Sequence, residues 1–137
     1  MKPENAQELV ANYFGIAGEA TLLPGERNPN FLVTSGVQKY VLKIHKADEV
    51  AQIELQEHVL AELSGLSGFS VPKTIPGSEK QSLIALTNEQ FARMLAWIPG
   101  ELWSASETSE SHKVALGKLI ATVDIELASV DVTKYRS

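Results

Sequence analysis

The run Lys39-Tyr-Val-Leu-Lys-Ile-His45 alternates with a period of two, which is the pattern of a half-buried strand. Tyr40, Leu42 and Ile44 then point one way, and Val41, Lys43 and His45 the other. A strand of this kind commits the chain to a sheet, and the lysine in its apolar middle needs a reason. The plain reading is an edge strand guarded by a solvated cation. The functional reading is a lysine that grips the phosphates of a nucleotide. A single motif favours the plain reading. The flanking sequence shifts the balance.

With 137 residues, 44% of them hydrophobic and 21% charged, the chain is long and apolar enough for one domain with a real core. A net charge of -5 argues against a nucleic-acid surface, which needs a basic patch. The absence of cysteine removes disulfides and thiolate metal sites and is compatible with a reducing cytoplasm. No apolar run reaches membrane-spanning length, and the first eight residues are too polar for a signal peptide. The expected setting is cytoplasmic, with neither membrane nor nucleic acid as partner.

Along the chain, Ala6, Leu9, Val10 and Tyr13 space a helix over residues 3–14, with Gly15 to end it. Residues 20–23 and 31–35 read as strands around a turn-rich loop at 25–30. With the lysine strand they make an antiparallel meander. Residues 82–87 and 91–97 read as a hairpin around Asn88-Glu89, and Ile98-Pro99-Gly100 leaves the sheet. A helix capped at Ser109 runs to about Val130, with Leu116, Ile120, Val123, Leu127 and Val130 in one stripe. That stripe is apolar enough to seek a partner, so the chain is expected either to self-associate, with a homodimer through the C-terminal helix, or to fold that helix back on itself. The fold class is α+β: a five-stranded antiparallel sheet with one packed helix, flanked by N- and C-terminal helices.

The packed helix is read as capped by Asp48 and ending near Leu63. On a helical wheel Ile53, Leu55, Val59, Leu60, Leu63 and Leu66 share one face. Gln56 falls within that face, and Glu57 and Glu54 fall toward its polar side. Gln56 is therefore expected to be buried and to need partners.

The motifs Gly25-Glu-Arg-Asn-Pro-Asn-Phe31, Tyr40-Val-Leu-Lys-Ile44, Val71-Pro72, Arg93-Met-Leu-Ala-Trp-Ile-Pro-Gly-Glu-Leu-Trp103 and Leu116-Gly117 come in a telling order. The chain resembles the N-terminal lobe of the aminoglycoside phosphotransferase and choline kinase family, which has a protein-kinase-like fold. It looks most similar to the hydroxylysine-kinase-like branch. The resemblance implies that Lys43 reaches the phosphates of ATP and that Val41 sits over the adenine ring. By the same resemblance, the loop with Gly25, Asn28 and Asn30 covers the phosphates. The main chain of Ala96, Trp97 and Ile98 pairs with the adenine edge. A helix glutamate usually receives the lysine in that family; here Gln56 stands at the matching turn, with Glu57 and Glu54 beside it.

The family's catalytic His-Gly-Asp stretch and its later metal-binding Asp do not occur: His45, His58 and His112 are followed by lysine, valine and lysine. No catalytic residue or metal ligand is therefore expected in this chain, and magnesium ligands would belong to a missing lobe. Phosphoryl transfer depends on both. The resemblance thus implies residues 1–100 as a kinase-like N-lobe and 101–137 as a linker plus the first helix of the missing lobe. The chain alone is expected to be inactive, and its parent to move the γ-phosphate of ATP to a small-molecule hydroxyl. The alternative is a non-catalytic ligand- or protein-binding module on the same fold.

Overall fold

The computed structural model describes residues 1–25, 27–99 and 109–135, in two compact units. The first joins Met1–Ala51 to Pro72–Trp97 and holds the sheet. The second joins Gln52–Val71 to the described residues after Trp97 and is helical.

In the first unit, α1 (Pro3–Phe14) begins on a proline, whose missing N–H is unneeded in a first turn. It ends on Gly15, whose φ of 67° suits a residue without a Cβ. Ala6, Leu9 and Val10 are buried as their spacing predicts, but the next buried position is Phe14, and Tyr13 is 40% exposed. From Val10 the helix can present i+3 or i+4 to the sheet, and the packing selects i+4.

The strands are β1 (Glu19–Leu22), β2 (Asn30–Ser35), β3 (Gln38–Lys46), β4 (Thr74–Ile75), β5 (Ile84–Ala85) and β6 (Gln90–Ala96). All pairs are antiparallel, in the order β1-β2-β3-β6-β4, with β5 also on β6. The α+β class and the meander are as expected. The sheet has six strands, the additional one being β4, a two-residue strand between Pro72 and Pro76. Because β4 pairs with Met94 and Leu95 and β5 with Phe91 and Ala92, these two lie end to end along one side of β6. Leu86 N–H donates to the Gln90 carbonyl at 2.8 Å and closes the β5–β6 turn, where Asn88 and Glu89 take φ of 66° and 58°.

One face of the sheet carries the core. Phe31, Val33, Leu42, Ile44, Ala92 and Met94 pack there with the buried side of α1. Each large aliphatic or aromatic group buried this way contributes roughly 1.5–3 kcal/mol. Gly18 allows the chain to pass close to β2: a Cβ there would lie 2.7 Å from the Thr34 carbonyl oxygen.

The segment after β3 corrects one expectation. A 3-10 turn at Ala47–Glu49 precedes α2 (Val50–Leu63), and Asp48 is exposed rather than capping. Glu49 caps instead, its Oε2 accepting the Lys46 N–H at 2.7 Å. A carboxylate three residues on can reach back to the first free amide, which the Asp48 side chain does not do here.

In the second unit α2 buries Ile53 and Leu63. Its His58 Nδ1 lies 3.3 Å from Tyr135 Oη, with the two rings edge-on at 6.0 Å. Tyr135 ends a short turn at Thr133–Tyr135. Helix α3 (Glu110–Leu127) starts where expected, His112 N–H donating to Ser109 Oγ at 3.2 Å. On its stripe Leu116 and Ile120 are exposed, while Val123, Leu127 and Val130 are half-buried. No helix among the described residues is long and apolar enough to cross a membrane. Gly100, Trp103 and the expected linker after residue 100 lie largely outside the described residues.

Candidate functional site

The face of β3 away from the core presents Val41, Lys43 and His45, all half-buried, as the alternation predicts. Directly opposed residues of neighbouring strands share a face, so register builds the site in rows. One row is apolar: Leu32 on β2, Val41 on β3 and Leu95 on β6. The next, about 7 Å further along the strands, is polar: Asn30, Lys43 and Arg93. Asn30 and Arg93 are buried, at 7% and 3% exposure.

A buried guanidinium requires partners. Arg93 Nε–H donates to His45 Nε2 at 3.3 Å, which places the histidine's proton on Nδ1. Burial, then the Arg93 charge, hold the His45 imidazole below its ordinary pKa, with Lys43 adding to this and Glu49 opposing it. Among the described residues Lys43 itself has no hydrogen-bond or ion-pair partner.

Glu49 lies beside this row. Asn28 Nδ2 donates to both its oxygens, at 2.9 and 3.0 Å, and His45 Nδ1 stands 3.9 Å from Oε2. The Lys46 N–H first, then the Asn28 amide, hold the Glu49 carboxyl below the usual carboxylate range. Gly25, in the same loop as Asn28, takes φ of 88°, and nothing lies within 4 Å of where a Cβ would be.

Residues 19–136 match the family described as the phosphotransferase enzyme family, APH. The chain belongs to that family. Among solved structures, this phosphotransferase-family chain is similar to a microcompartment-associated aminopropanol kinase, with TM-score 0.59 and 19% identity over 71% of this chain and 32% of that one. It is also similar to spectinomycin phosphotransferase APH(9)-Ia in complex with ADP and spectinomycin, with TM-score 0.55 and 18% identity over 72% and 30%. A presumed aminoglycoside phosphotransferase of Ralstonia eutropha gives TM-score 0.60 and 20% identity over 98% and 40%. At these identities the likeness is one of fold. The chain spans about a third of the length of these relatives. No curated protein matches it significantly.

Of the residues singled out in this phosphotransferase-family sequence, Val41, Lys43 and Asn30 come together on one face of the sheet. Gly25 and Asn28 lie in the loop before Asn30. At the end of β6, Ala96 N–H donates to the Lys73 carbonyl at 2.8 Å and Trp97 N–H to the Lys39 carbonyl at 3.2 Å, so both amides are used within the first unit. The Ile98 N–H has no partner among the described residues.

Gln56 is corrected: it is exposed, not buried, whereas Glu57 is half-buried, and both have interaction partners. Helical phase gives the direction of a side chain but not its depth. At this turn Leu55, Val59 and Leu60 are themselves only half-buried. Sequence reasoning gave no role at the site to Arg93, Leu32, Leu95 or Glu49. The arginine carried a usable signal, a cation inside an apolar strand like Lys43 itself.

Proposed function

We propose that this chain is the nucleotide-binding part of an ATP-dependent phosphotransferase that moves the γ-phosphate of ATP to a hydroxyl group of a small molecule. The observation that carries the reading is the ammonium of Lys43, unpartnered among the described residues, set between Asn30 and Arg93 and one row from the apolar strip Leu32, Val41 and Leu95. A base stacked on the strip leaves its phosphates to the polar row, and a cation there stabilises charge as phosphoryl transfer proceeds. The Ile98 N–H and the neighbouring carbonyls of Ala96 and Trp97 would pair with the adenine edge. The loop with Gly25 would offer backbone amides to phosphate.

In this reading residues 1–100 form the nucleotide lobe and residues 101–137 lead into a catalytic lobe that supplies the base and the magnesium ligands. Among the described residues no three His, Cys, Asp or Glu side chains converge as a metal site. Calorimetry of the chain with ATP and magnesium tests the reading. It should give weak, saturable binding that Lys43→Ala abolishes. No binding, or binding unchanged by Lys43→Ala, refutes it, and sub-micromolar affinity refutes the half-site.

The exposed apolar residues Val114, Leu116, Leu119, Ile120 and Ile125 of α3 favour a second reading, in which the fold serves as a binding module and pairs with a second copy through this helix. Light scattering after size exclusion decides it: a strict 14.9 kDa monomer counts against pairing.

A further inference from the structure

We infer that Glu49 is a positioning residue: by clasping the Asn28 side chain it holds the loop around Asn28 in the shape needed to receive phosphate. This rests on the nucleotide reading above. The loop is fixed at its base by main-chain bonds, Leu23 N–H to the Asn30 carbonyl at 2.8 Å and Ile44 N–H to the Pro29 carbonyl at 3.2 Å. Between those anchors, among the described residues, the hydrogen bonds from Asn28 Nδ2 to the Glu49 carboxylate are what tie the loop to the rest of the unit.

Their geometry is that of an anchor rather than a surface contact. Both carboxylate oxygens are engaged by the one amide, and Oε2 also accepts the Lys46 N–H at 2.7 Å. The carboxylate is thus fixed to the backbone at the end of β3 before it reaches Asn28, which lies 21 residues earlier in the chain. A carboxylate left facing phosphate would repel it. Here three hydrogen bonds from two donor groups occupy the carboxylate, so the clasp serves the loop without opposing the ligand. The clasp also continues to the polar row. His45 accepts from Arg93 through Nε2 and turns its Nδ1 toward Glu49 Oε2. One histidine therefore joins the anchor of the loop to the cation opposite Lys43.

A plain helix cap requires only the bond from the Lys46 N–H, and Asn28→Ala leaves that bond intact. The test compares the 137-residue chain with Asn28→Ala, Glu49→Ala and the double variant. Hydrogen exchange of the amides at residues 25–30 and calorimetric titration with ATP are the readouts, and melting curves establish that each variant is folded. Each single variant should speed loop exchange about tenfold and weaken ATP binding about fivefold, the scale of a charge-assisted hydrogen bond. The double variant should do no more than Asn28→Ala does at these loop amides, because partners in one interaction are not additive. Unchanged loop exchange in Asn28→Ala overturns the clasp. Faster exchange with unchanged ATP affinity overturns the positioning role. A wild-type chain that binds no ATP overturns the nucleotide reading itself, and the exchange data still report separately on the clasp.

Discussion

Leu42 and Lys43 are neighbours on opposite faces of β3, and their alanine variants should fail in opposite ways. Leu42 is fully buried in the core between α1 and the sheet. Leu42→Ala removes three carbons at about 0.8 kcal/mol each and leaves a cavity, for a total cost of about 3–4 kcal/mol. For a chain of this size that lowers the melting midpoint by roughly 10–15 °C. Lys43 is half-buried and unpartnered among the described residues, with Arg93 directly opposite. Removing it costs no ion pair and relieves a repulsion between like charges, so its effect on stability should stay within about 0.5 kcal/mol. Circular dichroism melts and ATP titrations of both variants form the assay. At a temperature where Leu42→Ala is folded it should keep wild-type affinity, whereas Lys43→Ala should be stable and should not bind. A Lys43→Ala variant that melts 10 °C low, or a Leu42→Ala variant with an unshifted midpoint, refutes the assignment of faces.

Glu89 is exposed and holds φ of 58°, so Glu89→Gly should stabilise the chain by about 1 kcal/mol in urea unfolding, and a loss of stability would count against strain in that turn. Gly18→Ala drives a Cβ against the Thr34 carbonyl and should cost about 1–3 kcal/mol, with the loss of protection concentrated in β1; a neutral result refutes the close approach. As pH falls below 6.5, unfolded His45 takes up a proton that the folded site resists, because burial and Arg93 lower its pKa there. Stability should therefore decline from pH 7 toward the folded pKa, and His45→Gln should flatten that slope. Further down, the Glu49 contribution is complete above its ordinary carboxylate pKa and is lost only as pH falls through its depressed folded value, so Glu49→Gln should narrow the difference between pH 5 and more acidic solutions.

Much of the sheet was legible because half-buried strands declare themselves by alternation. The two faces of β3 follow directly from residues 40–45. The partners across it do not. That Arg93 stands opposite Lys43 depends on the register between strands distant in sequence, which no local pattern states. The clasp between Asn28 and Glu49 was hidden for the same reason. Gln56 was misread because a wheel cannot tell how deeply a turn is covered, and Phe14 displaced Tyr13 because two neighbouring positions serve one helix face equally well. Strand β4 escaped notice because two residues between prolines carry no period.

The pairing of β3 with β6 also sets an order of assembly. Strands β1, β2 and β3 are joined by short turns, so Asn30 and Lys43 meet through local contacts. Arg93 arrives with β6, whose partners on β3 are roughly fifty residues away, and that closure carries the larger entropic cost. On a ribosome the meander leaves the exit tunnel well before β6 does. For that interval the nascent sheet exposes a free β3 edge carrying Lys39, Lys43 and Lys46. Three lysines on that edge discourage pairing with another chain, so Lys43 is also, for a time, the edge guard that its sequence first suggested.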